Sequence, residues 1–296
     1  MATHVLVLLN RPSLEAPAHD PDGPMFQVVD PATPVVSTLD LGVTRGDGIF
    51  ESASVGNGVP QALEHHLRRF ANSARALDLP APDPNAWRGA LQHALAEFDP
   101  VAEGFAKFVY TRGIEGDGRP TGWVYLMPAP DYSRVREEGV RVVLLDRGYR
   151  HDVERTSPWL LAGAKTLSYA VNRSVMREAA RRGADDVIFV SSDGYILEGP
   201  NSTVIVKRGN GLFTPGVELG ILDGTTQANV FRYAQSLGFE VGHELATPDT
   251  LREADAIWLV SSVRHAVPVR ELDGAPFPVD AELTKGINDH LHAVQE

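Results

Sequence analysis

Lys165 stands in the stretch Leu160-Leu161-Ala162-Gly163-Ala164-Lys165-Thr166-Leu167, among small and apolar neighbours. It is one of four lysines, with Lys107, Lys207 and Lys285, among 27 basic residues. Desolvation lowers a lysine pKa and makes the amine a nucleophile able to form a Schiff base. A surface lysine that snorkels its ammonium into water fits the same segment. Glu198 ends the apolar run Tyr195-Ile196-Leu197 and enters the turn Gly199-Pro200-Asn201-Ser202. Such a carboxylate faces a pocket or is an ordinary exposed turn residue. Gly220-Ile221-Leu222-Asp223-Gly224-Thr225-Thr226 opens a helical stretch. Its backbone N–H groups and hydroxyls can cradle a phosphate, or the threonine simply caps a helix. In His66-Leu67-Arg68-Arg69-Phe70 the two arginines are adjacent, so at most one of them faces a site. Ser261-Ser262-Val263-Arg264-His265 places hydroxyls and a cation at the end of an apolar strand.

Much other chemistry is excluded. The 296 residues contain no cysteine, which removes disulfides, thiolate nucleophiles, Cys-ligated zinc and iron–sulfur clusters. No His-x-x-x-His or carboxylate cluster has metal-ligand spacing, so no metal is expected. Neither the dinucleotide fingerprint nor the P-loop occurs. No Gly-x-Ser-x-Gly elbow is present, although a dispersed Ser–His–Asp triad stays open. A net charge of -12 argues against binding nucleic acid. No apolar run approaches the ~18 residues of a membrane span. The opening Val5-Leu6-Val7-Leu8-Leu9 is short and lacks a basic flank, unlike a signal peptide. A soluble cytoplasmic protein is the expectation.

These residues need elements to hold them. With 43% hydrophobic residues, the chain can bury one large core or two modest ones. Residues 44–55 read as a turn running into a strand, with Gly56-Asn57-Gly58 as a hairpin turn. Leu67, Phe70, Ala74 and Leu77 recur at helical spacing in 65–79, and Pro80-Ala81-Pro82 stops that helix. A second helix covers 85–97. Strands are predicted at 106–111 and 122–127, and Pro128-Ala129-Pro130 is the best linker. Beyond it come a strand at 140–145, a helix at 170–182 and short strands at 187–190, 195–198 and 203–207. A helix at 226–237 and strands at 256–261 and 267–272 follow. The reading is α+β, with a small N-terminal α/β domain over 1–130 and a larger domain over 131–296.

In order and spacing these segments resemble the fold-type IV pyridoxal-phosphate enzymes, the class IV aminotransferase family. The resemblance runs from about Asp40 to Gly274. Arg45-Gly46-Asp47-Gly48-Ile49-Phe50-Glu51, the His66-to-Phe70 helix and Lys165-Thr166-Leu167 carry it. Gly183-Ala184-Asp185-Asp186, the Glu198-to-Ser202 turn, residues 220–226 and Pro268-Val269 extend it. It implies a larger domain on a β-barrel-like core and pyridoxal 5'-phosphate held as a Schiff base on Lys165, which also shuttles the substrate Cα proton. Glu198 would keep the pyridine nitrogen protonated, so that the ring acts as an electron sink. Arg69 would bind the phosphate, with Gly224, Thr225 and Thr226 completing the cup and Ser262 adding a hydroxyl. A homodimer is the family expectation.

Three departures bear on the reaction. The family's D-amino-acid aminotransferases trap the substrate carboxylate with Arg-x-His after their Tyr-Thr-Arg-Gly strand. Here that loop offers Arg119 but no histidine. Phe50 stands where those enzymes carry a tyrosine. Arg264 stands where many relatives have small or hydroxyl residues, and a guanidinium there can hold the carboxylate. The expectation is an aminotransferase acting on D- or other small amino acids and 2-keto acids. The alternative resembles aminodeoxychorismate lyase, which releases pyruvate and 4-aminobenzoate.

Overall fold

The computed structural model describes residues 3–294. The chain forms two compact units. One comprises the residues up to Pro130 together with Ala164–Tyr169, the other Asp131–Gly163 and Ala170–Val294.

The first unit contains β1 (Val5–Leu9), β2 (Phe26–Val29), α1 (Leu41–Thr44), β3 (Gly48–Gly56) and β4 (Val59–Pro60). It continues with α2 (Leu63–Ala76), α3 (Pro84–Glu97), β5 (Glu103–Thr111) and β6 (Thr121–Pro128). Its strands form an antiparallel sheet in the order β2-β1-β6-β5-β3-β4. Strand alternation sends Ile49, Glu51, Ala53, Ala106, Phe108 and Tyr110 to one face, where all are buried. Phe70 of α2 and Trp87 of α3 pack there with ring centroids 4.8 Å apart. Trp87 donates its indole N–H to the Pro12 carbonyl at 2.9 Å, so the largest ring leaves no polar group unpaired. The opposite face, with Phe50, Ser52, Lys107, Trp123 and Tyr125, is only half-buried.

Local chemistry explains the boundaries. The sequence reads 44–55 as a turn into a strand, but the chain makes the single helical turn α1 first. Asp40 caps it by accepting the Gly42 N–H at 2.8 Å. Asn57 and Gly58 both have positive φ, 50° and 82°, as a two-residue hairpin loop requires. Helix α2 starts two residues before the expected 65 and stops at Ala76, with Asp78 left-handed just before Pro80.

The second unit holds α4 (Ser133–Glu138), β7 (Val140–Asp146), α5 (Val153–Thr156), α6 (Ala170–Arg181), β8 (Asp186–Val190), β9 (Thr203–Arg208) and β10 (Gly211–Thr214). Next come α7 (Thr225–Ser236), β11 (Glu240–His243), α8 (Pro248–Arg252), β12 (Ala256–Ser261), β13 (His265–Leu272), β14 (Ala275–Pro276) and α9 (Ala281–Ala293). A curled mixed sheet runs β11-β10-β9-β12-β13-β7-β8, with β14 on β13. Central strand β12 is buried on both faces. Ile257 and Leu259 join one core, and Trp258 and Val260 join the other, with Val230 of α7 and Ile287 of α9. Such a strand has no polar face to show, hence its continuous apolar run.

Two expectations are corrected. Residues 195–198 are not a regular strand: Ile196 forms an isolated bridge to Val190 and Leu197 and Glu198 bond to Phe189, but turns at Gly194 and Gly199-Pro200 cut the pairing short. Helix α9 was not expected, although Leu283, Ile287 and Leu291 repeat at i+4 and are all buried. Among the described residues no helix is long and apolar enough to cross a membrane, and no group of three or more His, Asp or Glu side chains could hold a metal.

Candidate active site

In the first unit, the strip Ala164–Tyr169 lies along the edge of β3 that β5 does not use. The Phe50 N–H donates to the Lys165 carbonyl at 3.0 Å, and the Leu167 N–H donates to the Gly48 carbonyl at 2.8 Å. A side chain at Gly48 would come within 2.7 Å of the Tyr110 carbonyl and 2.8 Å of Leu167; glycine permits that approach. The Lys165 N–H donates to Ser73 Oγ at 3.1 Å. Lys165 is therefore held through its backbone on both sides, and its Nζ stands 4.4 Å from the Phe50 ring centroid. Tyr169 meets the same ring edge-on at 5.3 Å. A second lysine reaches that ring: Lys107 Nζ is 5.3 Å from its centroid. Burial pushes the Lys107 amine below the ordinary lysine value.

Beside Phe50, on the buried face, Glu51 accepts from Arg69 Nε at 2.6 Å and Nη2 at 2.7 Å, and from His66 Nδ1 at 2.8 Å. His66 and Arg69 lie three residues apart and share one face of α2; Arg68 points to solvent. Burial pushes the Glu51 carboxyl upward, but the charge and bonds of Arg69, with the His66 bond, outweigh it. The carboxyl is held well below the ordinary range. His66 is pushed down by burial, against its Glu51 bond, with the Arg69 and Lys165 charges adding to the downward push. Of this network, sequence reading singled out Arg69 alone. The missed signal is a carboxylate at a strand position whose neighbours at i−2 and i+2, Ile49 and Ala53, are apolar.

Arg119 is placed differently. Its Nε and Nη2 donate to Asp117 at 2.8 and 3.0 Å, and Nη1 to the His19 carbonyl at 3.2 Å. It lines a pocket of about 350 Å³ with Leu9, His19, Val35, Ile114 and Thr121. Phe50, Arg69 and Lys165 do not line that pocket.

In the second unit, helix α7 begins at Thr225 after Gly224, an N-cap residue with no side chain of its own to cap the helix. Thr225 and Thr226 are buried, and their Oγ1 atoms lie 3.3 and 3.4 Å from Ser262 Oγ. A side chain at Gly224 would meet Thr203 Oγ1 at 2.6 Å. Three hydroxyls, the first amides of a helix and the positive end of its dipole make a donor set suited to a phosphate. Two residues before Gly224, the Leu222 N–H donates to Glu198 Oε2 at 3.2 Å. A carboxylate fixed by a backbone bond is the right partner for a protonated ring nitrogen. The donor set therefore fits a phosphorylated pyridine.

Arg264 is not a free guanidinium. Its Nη1 donates to Asp186 Oδ2 at 2.7 Å, while Nη2 is buried with no hydrogen-bond partner among the described residues. Arg136 of α4, itself buried, donates from Nε to the Arg264 carbonyl at 3.0 Å and from Nη2 to the Val263 carbonyl at 3.3 Å. The β12–β13 turn is thus fastened through both backbone and side chain. Sequence reasoning missed Arg136 and the pairing of Arg264 with Asp186, since neither partner lies near the turn in the chain.

Residues 48–272 match the model of the amino-transferase class IV family, and the chain belongs to it. It is accordingly a pyridoxal-phosphate-dependent enzyme with the α+β architecture of fold type IV. A fold IV-transaminase from Curtobacterium pusillum is 52% identical, with a TM-score of 0.94 over 99% of this chain and 98% of that one. A bifunctional aminodeoxychorismate lyase / D-amino acid transaminase from Mycobacterium tuberculosis is 43% identical over 264 residues, 85% of this chain and 91% of the relative. The pyridoxal-phosphate-bound form of a hypothetical aminotransferase from Mycobacterium tuberculosis is 39% identical, with a TM-score of 0.87 over 98% and 99% of the two chains.

Proposed function

We propose that this enzyme transfers amino groups between a D-amino acid and a 2-keto acid. The observation that carries a carboxylate-bearing substrate is the buried, unpartnered Nη2 of Arg264. Preference for the D series is supported by the D-amino acid transaminase activity named for the 43%-identical relative and by similar D-alanine aminotransferases, one 26% identical from Bacillus licheniformis. In this reading the Lys165 amine attaches the cofactor and then moves the proton at substrate Cα. Phe50 supports the amine and sets the shape of the substrate space. Arg69, Gly224, Thr225, Thr226 and Ser262 hold the phosphate, and Glu198 keeps a proton at the ring nitrogen. When bound, the cofactor supplies the electron sink that makes cleavage at Cα feasible. We further infer a homodimer acting in the cytoplasm.

The second reading is aminodeoxychorismate lyase, favoured by the other activity named for that same relative. Purified enzyme incubated with D-alanine and 2-oxoglutarate should release pyruvate. L-leucine and aminodeoxychorismate are run in parallel. Release of 4-aminobenzoate without any transfer from D-alanine would replace the first reading by the second.

Arg264, rather than Arg119, takes the substrate carboxylate. Arg119 already spends two nitrogens on Asp117 and keeps 38% of its side chain in contact with solvent, so water screens part of what charge remains. Losing one partner of a buried charge-assisted pair costs about 2–5 kcal/mol. Arg264→Ala should raise KM for amino and keto acids by tenfold or more, and Arg119→Ala by far less. A matched primary amine, having no carboxylate, should suffer much less than the acid in Arg264→Ala. Equal losses for acid and amine would mean that Arg264 only shapes its turn.

A further inference from the structure

Helix α9 reaches the turn that carries Ser262 and Arg264, and no step described so far uses it. Asn288 of α9 is buried and meets one residue of β13 twice. Its Oδ1 accepts the Ala266 N–H at 3.0 Å, and its Nδ2 donates to the Ala266 carbonyl at 2.9 Å. The sheet explains this contact. Ala266 lies opposite Val260 of β12, but β7 joins the other side of β13 only from Val269 onward. At Ala266 the Asn288 amide, with an acceptor and a donor side by side, fills the place of a strand. One helical turn further on, His292 shares that face of α9. Its Nδ1 lies 2.7 Å from the Asn288 carbonyl, which can only accept, so Nδ1 donates. Its Nε2 then accepts from Arg136 Nη1 at 3.2 Å. Arg136 is the residue that grips the Val263 and Arg264 carbonyls.

His265, which closes the turn against Ser261, has φ 61°. A residue with a side chain keeps that left-handed conformation only where its surroundings impose it. The His265 ring is buried and meets the His292 ring edge-on, with centroids 4.5 Å apart. Residues 263–266 are thus held through their backbone by Arg136 and α9, and through the Arg264 side chain by Asp186. A guanidinium pairs well with a carboxylate only in a narrow range of orientations. What fixes the backbone under Arg264 therefore also sets how well its free nitrogen meets a substrate. We propose that Asn288 and His292 are positioning residues for carboxylate-bearing substrates. By completing the ladder at Ala266 and steadying Arg136, they hold Arg264 in its binding orientation. This inference rests on the reading of Arg264 as the carboxylate anchor.

The test measures kcat and KM separately for D-alanine, for pyruvate and for a matched primary amine. It compares wild type with Asn288→Ala, His292→Phe, His292→Gln and Arg264→Ala. One hydrogen bond is typically worth about twofold to tenfold in an equilibrium. Asn288→Ala removes two, so KM for both acids should rise about tenfold, with kcat and the amine KM moving far less. His292→Phe keeps a ring on His265 but offers Arg136 no acceptor, and should raise the acid KM about threefold. His292→Gln restores an acceptor and should recover most of that loss. Should Asn288→Ala fail to fold, the two His292 variants decide the matter. Variants that melt earlier yet keep the acid KM, or that lose acid and amine alike, overturn the inference, because α9 then only stabilises the fold. If Arg264→Ala loses the acids selectively and the α9 variants do not, the inference falls alone. If Arg264→Ala loses acid and amine alike, the Arg264 reading falls and takes this inference with it.

Discussion

Lys165→Ala should abolish the absorbance of the lysine-bound cofactor near the visible edge and lower turnover by at least about a thousandfold. General acid–base help alone is typically worth ~100- to 10,000-fold, and covalent attachment is lost as well. The fold should survive, because the strip's pairing with β3 uses the backbone of Lys165 and not its amine. Lys107→Ala is the necessary control, since Lys107 reaches the same ring. It should keep the absorbance. If Lys165→Ala kept the absorbance and Lys107→Ala lost it, the roles of the two lysines would be exchanged.

Glu51→Gln should produce the largest loss of stability of any single substitution considered for this chain. Glu51 is a fully buried acceptor for side-chain donors of Arg69 and His66 and for the Ser52 backbone N–H. An amide presents its own NH₂ to part of that set and leaves the Arg69 charge buried without compensation. Breaking a buried ion pair by removing one partner costs about 3–5 kcal/mol, on the order of 10 °C in melting temperature for a chain of this size. The pH dependence follows from the lowered Glu51 pKa. An unfolded glutamate titrates near about 4.3, whereas the folded carboxyl stays ionised far below that. Its stabilisation is complete above the unfolded value and is lost as pH falls towards the folded one, by about 1.4 kcal/mol per pH unit. The gap in stability between wild type and Glu51→Gln should accordingly be widest near neutrality and shrink below about pH 4.3. His66, held neutral by burial, also weakens the acid side, because the unfolded chain takes up that proton below about pH 6.5. Denaturant titrations at pH 7 and pH 3.5 measure the gap directly. A gap that does not narrow would mean that Glu51 is already protonated in the native state.

The two networks differ in how far the sequence could reveal them. Lys165 stands out because lysine is rare here and its neighbours are small. The helical period shows that Arg68 and Arg69 part company, and Arg69 is the one turned inward. Glu51 left a trace in the strand alternation, but its partners sit on another element, and no local pattern names them. Arg136 left no trace, and Asp186, although part of the Gly183-to-Asp186 motif, gave no sign of its partner. Each meets the β12–β13 turn from a distant part of the chain, and a pairing set by tertiary packing has no local periodicity. The same holds for the strip of Ala164–Tyr169, whose partner strand lies far back in the sequence. Where a segment's shape was misread, as at 195–198, closely spaced turns had overridden its apolar β-like composition.

That strip also sets an order of events during synthesis. β3 leaves the ribosome early, and the residues that pair with its free edge at Gly48 and Phe50 emerge only after much of the intervening chain. Closing so long a loop comes late, since its entropy is lost before any contact is gained. A nascent chain ending before Ala164 has the sheet and its helices but lacks Lys165. If Lys165 is the reactive amine, as proposed, it reaches a scaffold already built.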